Sequence, residues 1–131
     1  MKGKNKKSRW IFYLIIVLII VSTAYVFLSA NSAPGKYDKL AKCLVDSGAK
    51  MYGAWWCSHC NNQKEAFGKS WKIFADGGGY VECSTPDEKQ QLQVCSDAGI
   101  KGYPTWRFAD GSELGGEQPF AVLADKSGCK I

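Results

Sequence analysis

Two cysteines separated by two residues, with a histidine between them, form Cys57-Ser58-His59-Cys60 directly after Trp55-Trp56. This spacing lets the two sulfurs meet across one turn of backbone and close a small disulfide ring. The run falls where an apolar, strand-like segment gives way to a helical one, so Cys57 is expected at a helix N-terminus. Unpaired N–H groups and the helix dipole stabilise a thiolate there. A thiol with a lowered pKa is both a competent nucleophile and a good leaving group. His59 can add positive charge or a hydrogen bond to that thiolate. Stabilising the thiolate stabilises the reduced pair and makes the disulfide a stronger oxidant, about 30 mV for each 1.4 kcal/mol of a two-electron couple. The chemistry expected is thiol–disulfide exchange, with Cys57, Cys60 and His59 as its catalytic group.

Plainer readings compete with this one. A CxxC can be half of a zinc site, but a four-ligand module needs a matching second pair. Cys83 and Cys95 lie 12 residues apart and are not in CxxC form. Cys57, His59 and Cys60 on one turn are also awkward joint ligands for a tetrahedral ion. Neither a metal nor a bound cofactor is therefore expected. The pair could instead be a structural disulfide and His59 an exposed polar side chain; the position of His59 between the cysteines favours a functional role.

The residues ahead of this site look unlike the rest. Five of the 17 basic side chains (Lys2, Lys4, Lys6, Lys7 and Arg9) precede one apolar segment, leaving 12 basic against 12 acidic residues in 34–131. The net charge of +5 therefore belongs to the tail, and no basic face of the kind a nucleic-acid binder shows is apparent. Residues 11–28 carry no charge, Gly or Pro, and the run extended to Trp10–Ala30 is 21 residues, enough for a helix across a bilayer core of about 30 Å. Trp10 and Tyr25 suit the interfaces, and the preceding basic residues predict a cytoplasmic N-terminus with the domain exported. A cleaved signal peptide has a shorter apolar region and small residues at its cleavage site. Here the run is long, and cutting after Ala30 or Ala33 puts Leu28 or Asn31 at −3. The expected organisation is a cytoplasmic basic tail at 1–9, a transmembrane signal anchor at 10–30, a linker at 31–35 and a globular domain at 36–131. Six cysteines, all in the globular part, suit an oxidising compartment.

Within that domain, Leu40, Cys43 and Leu44 have helical spacing over 36–47, and Ala49–Trp55 reads as a strand. Residues 57–74 read as one helix burying Ala66, Phe67, Ile73 and Phe74. Gly77-Gly78-Gly79 is a turn before a strand at Tyr80–Cys83. Ser84-Thr85-Pro86, followed by Asp87 and Glu88, reads as a helix start running through Leu92 and Val94 towards Gly99. Pro104–Phe108 and Glu113–Leu114 flank Asp110-Gly111, a hairpin signal. Pro119–Asp125 is a last helix with Phe120, Val122 and Leu123. The order α-β-α-β-α-β-β-α predicts an α/β domain, parallel strands with an antiparallel edge. Aromatic residues Trp55, Trp56, Tyr103 and Trp106 are expected near the cysteines.

Trp56-Cys57-Ser58-His59-Cys60, with Tyr103-Pro104-Thr105 placed 44 residues after Cys60, resembles the thioredoxin superfamily. Pro104 matches that family's cis-proline, which faces the CxxC ahead of a strand, here Trp106-Arg107-Phe108; the plainer reading is a turn proline. The resemblance implies that Tyr103, Pro104 and Thr105 bind an extended substrate segment by strand-like pairing, with Trp56 at the rim. A closer similarity is to the thioredoxin-like domain fused to bacterial and plant homologues of vitamin K epoxide reductase. It is carried by Lys39-Leu-Ala-Lys-Cys43, Gly48-Ala-Lys-Met-Tyr-Gly-Ala-Trp55, Gln63-Lys-Glu-Ala-Phe67, Tyr80-Val-Glu-Cys83, Gly99-Ile-Lys-Gly-Tyr-Pro-Thr-Trp106 and Ser127-Gly-Cys129. That likeness implies a Cys83–Cys95 disulfide and leaves Cys43 with Cys129; whether Cys83–Cys95 is structural or an electron relay stays open.

The departures from the family are informative. The four-helix quinone-reducing domain of the fusions has no counterpart, so a partner oxidase is expected in trans. No strand precedes the first helix, which implies a shortened thioredoxin-like fold, a mixed sheet with flanking helices preceded by one transmembrane helix. Met51 stands where thioredoxin has a buried Asp, and Cys-Ser-His-Cys resembles the Cys-Pro-His-Cys of DsbA-type oxidants. The resemblance therefore implies a membrane-anchored oxidoreductase that oxidises thiols of exported proteins. It would be reoxidised by a quinone-linked membrane oxidase, either a vitamin K epoxide reductase homologue or a DsbB-like protein. The alternatives are an extracytoplasmic disulfide reductase, as in cytochrome c maturation, and a non-catalytic anchored binding module.

Overall fold

The computed structural model describes residues 4–131. Lys2 of the basic tail lies outside the described residues, as do the side chains of Lys4, Lys6, Lys7, Ala30, Asn31 and Ser32. The chain divides into two units, Met1–Ala33 and Pro34–Ile131. The first is the helix α1 (Lys4–Ser32). Its Ser8–Ser29 stretch, 22 residues of mean hydropathy 2.8, is long and apolar enough to cross a membrane. The hydroxyls of Ser22 and Thr23 donate to the carbonyls of Ile19 and Ile20 at 2.9 Å, so the helix backbone satisfies these two polar side chains.

The second unit holds five further helices and four strands: α2 (Asp38–Asp46), β1 (Lys50–Gly53), α3 (Ser58–Phe67), a 3-10 turn (Gly68–Ser70), α4 (Trp71–Asp76), β2 (Tyr80–Glu82), α5 (Gln93–Asp97), β3 (Thr105–Arg107), β4 (Glu113–Gly115) and α6 (Phe120–Ser127). The strands form one sheet in the order β2-β1-β3-β4. β1 runs parallel to β2 with Met51 opposite Tyr80, and antiparallel to β3 with Met51 opposite Trp106. β3 and β4 form the hairpin, with Trp106 opposite Leu114. Gly111, at φ 80°, turns the chain between them, and Asp110 accepts from the Ser112 N–H at 2.9 Å. This is the mixed sheet of a shortened thioredoxin-like fold.

β1 is buried on both faces because successive side chains point to opposite sides. Met51 joins the larger core of Leu40, Leu44, Phe67, Phe74, Trp106 and Leu123, whereas Tyr52 joins a smaller one with Cys83, Cys95 and Ile100. The larger core is aromatic: Phe67 stacks on Phe74 at 5.7 Å, Phe74 meets Trp106 at 5.4 Å, and Phe67 meets Phe120 edge-on at 4.6 Å. Trp106 is wholly buried, in the same core cluster as Cys57 and Cys60.

Three local expectations need correction. The segment read as one helix over 57–74 is interrupted at Gly68, whose φ of 55° and ψ of −131° cannot continue a helix. The interruption buries Ser70, whose hydroxyl accepts from the Tyr37 N–H at 2.9 Å. Gln63 is buried with Phe67 and Phe74, while Ala66 and Ile73 are exposed. The expected helix start at Ser84–Glu88 is a closed loop. The Glu88 N–H donates to the Thr85 carbonyl at 3.0 Å in a turn with Pro86 second, the Thr85 hydroxyl donates to Asp87 at 2.6 Å, and Ser84 bridges Gln91. These bonds satisfy the backbone locally, so α5 begins only after Leu92. Val94 and Val122 are exposed.

Disulfides join Cys43 to Cys129 across a sequence separation of 86, and Cys83 to Cys95 across 12. The first ties α2 to the end of α6, which pack together; the second ties β2 to α5. Loop-closure entropy scales with the logarithm of loop length, giving about 4–5 kcal/mol for the long loop and about 3 kcal/mol for the short one. Denaturant melts of the Cys43→Ser/Cys129→Ser pair are therefore expected to show the larger loss of stability, and Cys83→Ser/Cys95→Ser the smaller.

Candidate active site

β1 ends at Gly53, and α3 begins at Ser58 with Cys57 as its N-cap in an extended conformation (φ −72°, ψ 119°). The Cys57 N–H donates to the Ala54 carbonyl at 3.1 Å, and the Cys57 carbonyl accepts from the Asn61 N–H at 3.0 Å. The first-turn N–H groups of α3 therefore open towards the Cys57 side chain, which is where an anionic sulfur is stabilised. Cys57 and Cys60 are both free thiols. Cys57 keeps 7% of its surface exposed and Cys60 none.

The two sulfurs live in different surroundings. The Cys57 thiol donates to the Tyr103 carbonyl at 3.7 Å, and Tyr103 is joined to the buried Pro104 by a cis peptide. This brings Cys57, Tyr103 and Pro104 together. Thr105, also buried, donates from its hydroxyl to the Gly102 carbonyl at 2.8 Å and opens β3. Burial pushes the Cys60 thiol up to about 12, against an opposing backbone hydrogen bond from Ala54; neighbouring Cys57 adds to the rise and the Lys64 cation opposes it. Cys60 packs over Gly53, where an added Cβ would stand 2.9 Å from Cys60 Sγ and 3.0 Å from the Tyr80 ring.

Trp56 lies at the rim. Its indole N–H donates to the Ser84 hydroxyl at 2.8 Å, and its ring meets Tyr103 edge-on at 6.2 Å. The Tyr103 hydroxyl accepts from Gln91 at 2.9 Å. Trp56, Tyr103, Ser84 and Gln91 line a groove of ≈ 210 Å³. His59 projects to solvent with its Nδ1 2.6 Å from Glu117 Oε1.

Several residues here carry no local sequence signal. Glu82 accepts from the N–H groups of Trp55 (3.1 Å), Cys83 (3.2 Å) and Ser84 (3.0 Å) through one oxygen and from the Tyr80 hydroxyl (2.7 Å) through the other. One carboxylate thus ties the approach to Cys57 to the segment entering the 84–91 loop. Burial first, and then this bond to Glu82, hold the Tyr80 phenol well above its ordinary range. Lys64 lies 4.2 Å from the Tyr80 ring centre. Only the alternation Tyr80-Val81-Glu82, which sets Tyr80 and Glu82 on one face, was available from sequence. Among the described residues, no group of three His, Cys, Asp or Glu side chains is arranged to hold a metal ion.

No family model matches the chain. It is 45% identical over 107 residues to the thiol-disulfide oxidoreductase LTO1 of Arabidopsis thaliana, covering 79% of this chain and 27% of that protein. It is 26% identical over 110 residues to a probable protein disulfide-isomerase, ER-60, of Schistosoma mansoni, covering 83% of this chain and 22% of that protein. The chain thus spans about a quarter of the length of the curated relatives it matches.

Two outcomes follow from the Cys60 environment. In the unfolded chain Cys60 ionises near its ordinary 9.0, but in the folded chain only near about 12. Between those values the unfolded state binds fewer protons, so stability falls as pH rises. Urea melts of the reduced chain should lose stability from about pH 9 towards about pH 12, and Cys60→Ala should lack that component. Gly53→Ala must displace Cys60 or Tyr80, with an expected cost of about 1–3 kcal/mol and slower closure of the Cys57–Cys60 disulfide in stopped-flow oxidation.

Proposed function

We propose that this thioredoxin-like domain is a membrane-tethered thiol–disulfide oxidoreductase acting on the thiols of exported proteins. The observation that carries the reading is the asymmetry of the cysteine pair: Cys57 caps α3 beside the Tyr103 carbonyl, and Cys60 is wholly buried behind it. The names of both relatives, one a thiol-disulfide oxidoreductase and one a probable protein disulfide-isomerase, support the same chemistry. The Ser8–Ser29 helix supports a single-pass anchor, and the basic residues before it favour the extracytoplasmic side for the domain.

Exchange proceeds in two displacements. A substrate thiolate attacks Cys57 Sγ of the oxidised pair; the Cys57–Cys60 bond breaks, and Cys60 leaves and takes up a proton. The substrate is now joined to Cys57. A second thiolate of the substrate attacks the substrate sulfur of that bond, Cys57 leaves, and the substrate departs with a new disulfide. Two electrons have passed to Cys57 and Cys60. Burial favours the thiol form of Cys60 once it is released, which slows its re-attack on Cys57 and leaves time for the substrate to close. Tyr103 offers its backbone to an extended segment, whereas Thr105 is paired with Tyr52 and Gly115 inside the sheet, and the groove beside Trp56 holds the segment's side chains. A quinone-linked membrane oxidase, a vitamin K epoxide reductase homologue or a DsbB-like protein, reoxidises the pair in trans. That partner follows from the similarity to the fused thioredoxin-like domains. The protein needs no resident cofactor for these steps.

One observation favours the opposite electron flow as a second reading. His59, whose charge would make the couple oxidising, has its Nδ1 2.6 Å from Glu117 Oε1. A potential near −120 mV fits an oxidant of DsbA type, and one near −270 mV fits a reductant of thioredoxin type.

The decisive experiment is to express Cys60→Ser as the full chain in its native membrane. Reductant-sensitive adducts on Cys57, absent from Cys57→Ser/Cys60→Ser, are expected, and mass spectrometry would identify substrates and oxidase. No adducts would sink the catalytic reading and leave a non-catalytic binding module.

A further inference from the structure

The loop Gly116–Gln118 is fastened to the active-site helix by a buried side chain far from any chain end. Gln63 Oε1 accepts from the Gln118 N–H at 2.7 Å, and Gln63 Nε2 donates to the Gln118 carbonyl at 3.2 Å. Gln63 is only 3% exposed, so both of its bonds are needed to offset its burial. On the other side the Gly116 N–H donates to the Pro104 carbonyl at 2.8 Å, and Gly116 has a φ of 83°, which a side chain would disfavour. The loop thereby bridges α3 and the proline opposite Cys57. This clamp leaves Glu117 little choice of position. Its Oε1 takes His59 Nδ1 at 2.6 Å and the Asn62 amide at 3.0 Å. His59 and Asn62, three residues apart, share one face of α3.

We propose that Glu117 is a positioning residue for His59. It holds the imidazole against the Gly116–Gln118 loop, so that the ring's charge does not act fully on Cys57, and it makes the Cys57–Cys60 couple less oxidising than Cys-Ser-His-Cys implies. The inference rests on the exchange function proposed above and bears on its direction. The physical basis is competition for one ring. A charge-assisted hydrogen bond to the Glu117 carboxylate is stronger than a neutral contact, and an imidazole committed to it is not free to lie over the sulfur. The Glu117 carboxyl is itself held below its ordinary range, chiefly by its hydrogen bond with His59 and then by Asn62.

The test uses the full-length chain in detergent, equilibrated with mixtures of reduced and oxidised glutathione in mildly acidic buffer. Alkylation and mass spectrometry read the fraction with reduced Cys57 and Cys60. Glu117→Ala frees the ring and is expected to shift the exchange constant roughly two- to fivefold towards the reduced protein, the scale of a partly exposed charge contact. Glu117→Gln keeps an acceptor oxygen and should shift it less. In a His59→Asn background, Glu117→Ala should have no effect. Glu117 is exposed, and unchanged thermal melts will show that each variant is folded. An unchanged constant in Glu117→Ala, or a shift towards the oxidised protein, overturns the proposal. So does an equal shift with and without His59, which would make Glu117 a plain surface charge. Failure of the wild-type chain to equilibrate with glutathione overturns the proposed function and this inference with it. A wild-type chain that equilibrates beside an unmoved Glu117→Ala overturns the inference alone.

Discussion

The turn from Gly53 to Ser58 has to meet two opposed demands within five residues. It must leave one cysteine slightly exposed, at the helix N-terminus, and put the other entirely inside. An extended Cys57 at the N-cap of α3 meets the first, because the N-cap residue is outside the helix but its side chain lies over the first turn. The helical repeat meets the second, because three residues on the chain has come round to the inward face. That inward step needs space, and Gly53 supplies it: Cys60 and the Tyr80 ring meet where a side chain would otherwise stand. The strand before the turn and the strand beside it are therefore as much a part of the site as the cysteines.

Much of the surrounding structure keeps that turn in place. Glu82 draws the Trp55 backbone towards β2 and at the same time gathers the N–H groups of Cys83 and Ser84. The Cys83–Cys95 disulfide then pins the far end of the 84–91 loop, whose internal bonds give it a fixed shape. One wall of the groove beside Trp56 is thus a covalently fastened loop. The opposite side is set by the cis Tyr103–Pro104 peptide, which aims the Tyr103 carbonyl at Cys57. The second disulfide holds the domain's first and last helices together behind the aromatic core. A domain of this size has a thin margin from burial alone, and cross-links of this kind compensate.

His59 shows how a motif can carry one implication and its surroundings another. Within Cys-Ser-His-Cys a histidine argues for a stabilised thiolate and an oxidising couple. In the folded chain its Nδ1 faces a carboxylate held by Asn62 and by the Gln63 clamp. On the positioning role proposed for Glu117, a loop 58 residues away in sequence joins the residues between the cysteines in setting the balance between oxidant and reductant.

Interactions over three or four residues leave a pattern that sequence alone reveals. The Cys57–Cys60 spacing, the α/β order, the Asp110-Gly111 hairpin and the apolar run at the N-terminus all belong to this class, because helical and strand periodicity and turn chemistry are local. Propensity misled where side chains made competing local bonds. Thr85 and Asp87 look like a helix start yet close a loop, and Gly68 breaks a helix that the apolar spacing carried through. Trp106 is aromatic in a run near the site, but strand register turns it into the core. Glu117 gave no signal, and Glu82 and Gln63 entered only as members of quoted motifs, since an isolated polar residue in a sequence does not say what it will face. The expectation of thiol chemistry at Cys57 was legible in the sequence. Which side chains hold and temper that chemistry was decided only when β2, α3 and the Gly116–Gln118 loop came together, because hydrogen bonds and charge act through space, whereas the sequence records only neighbours along the chain.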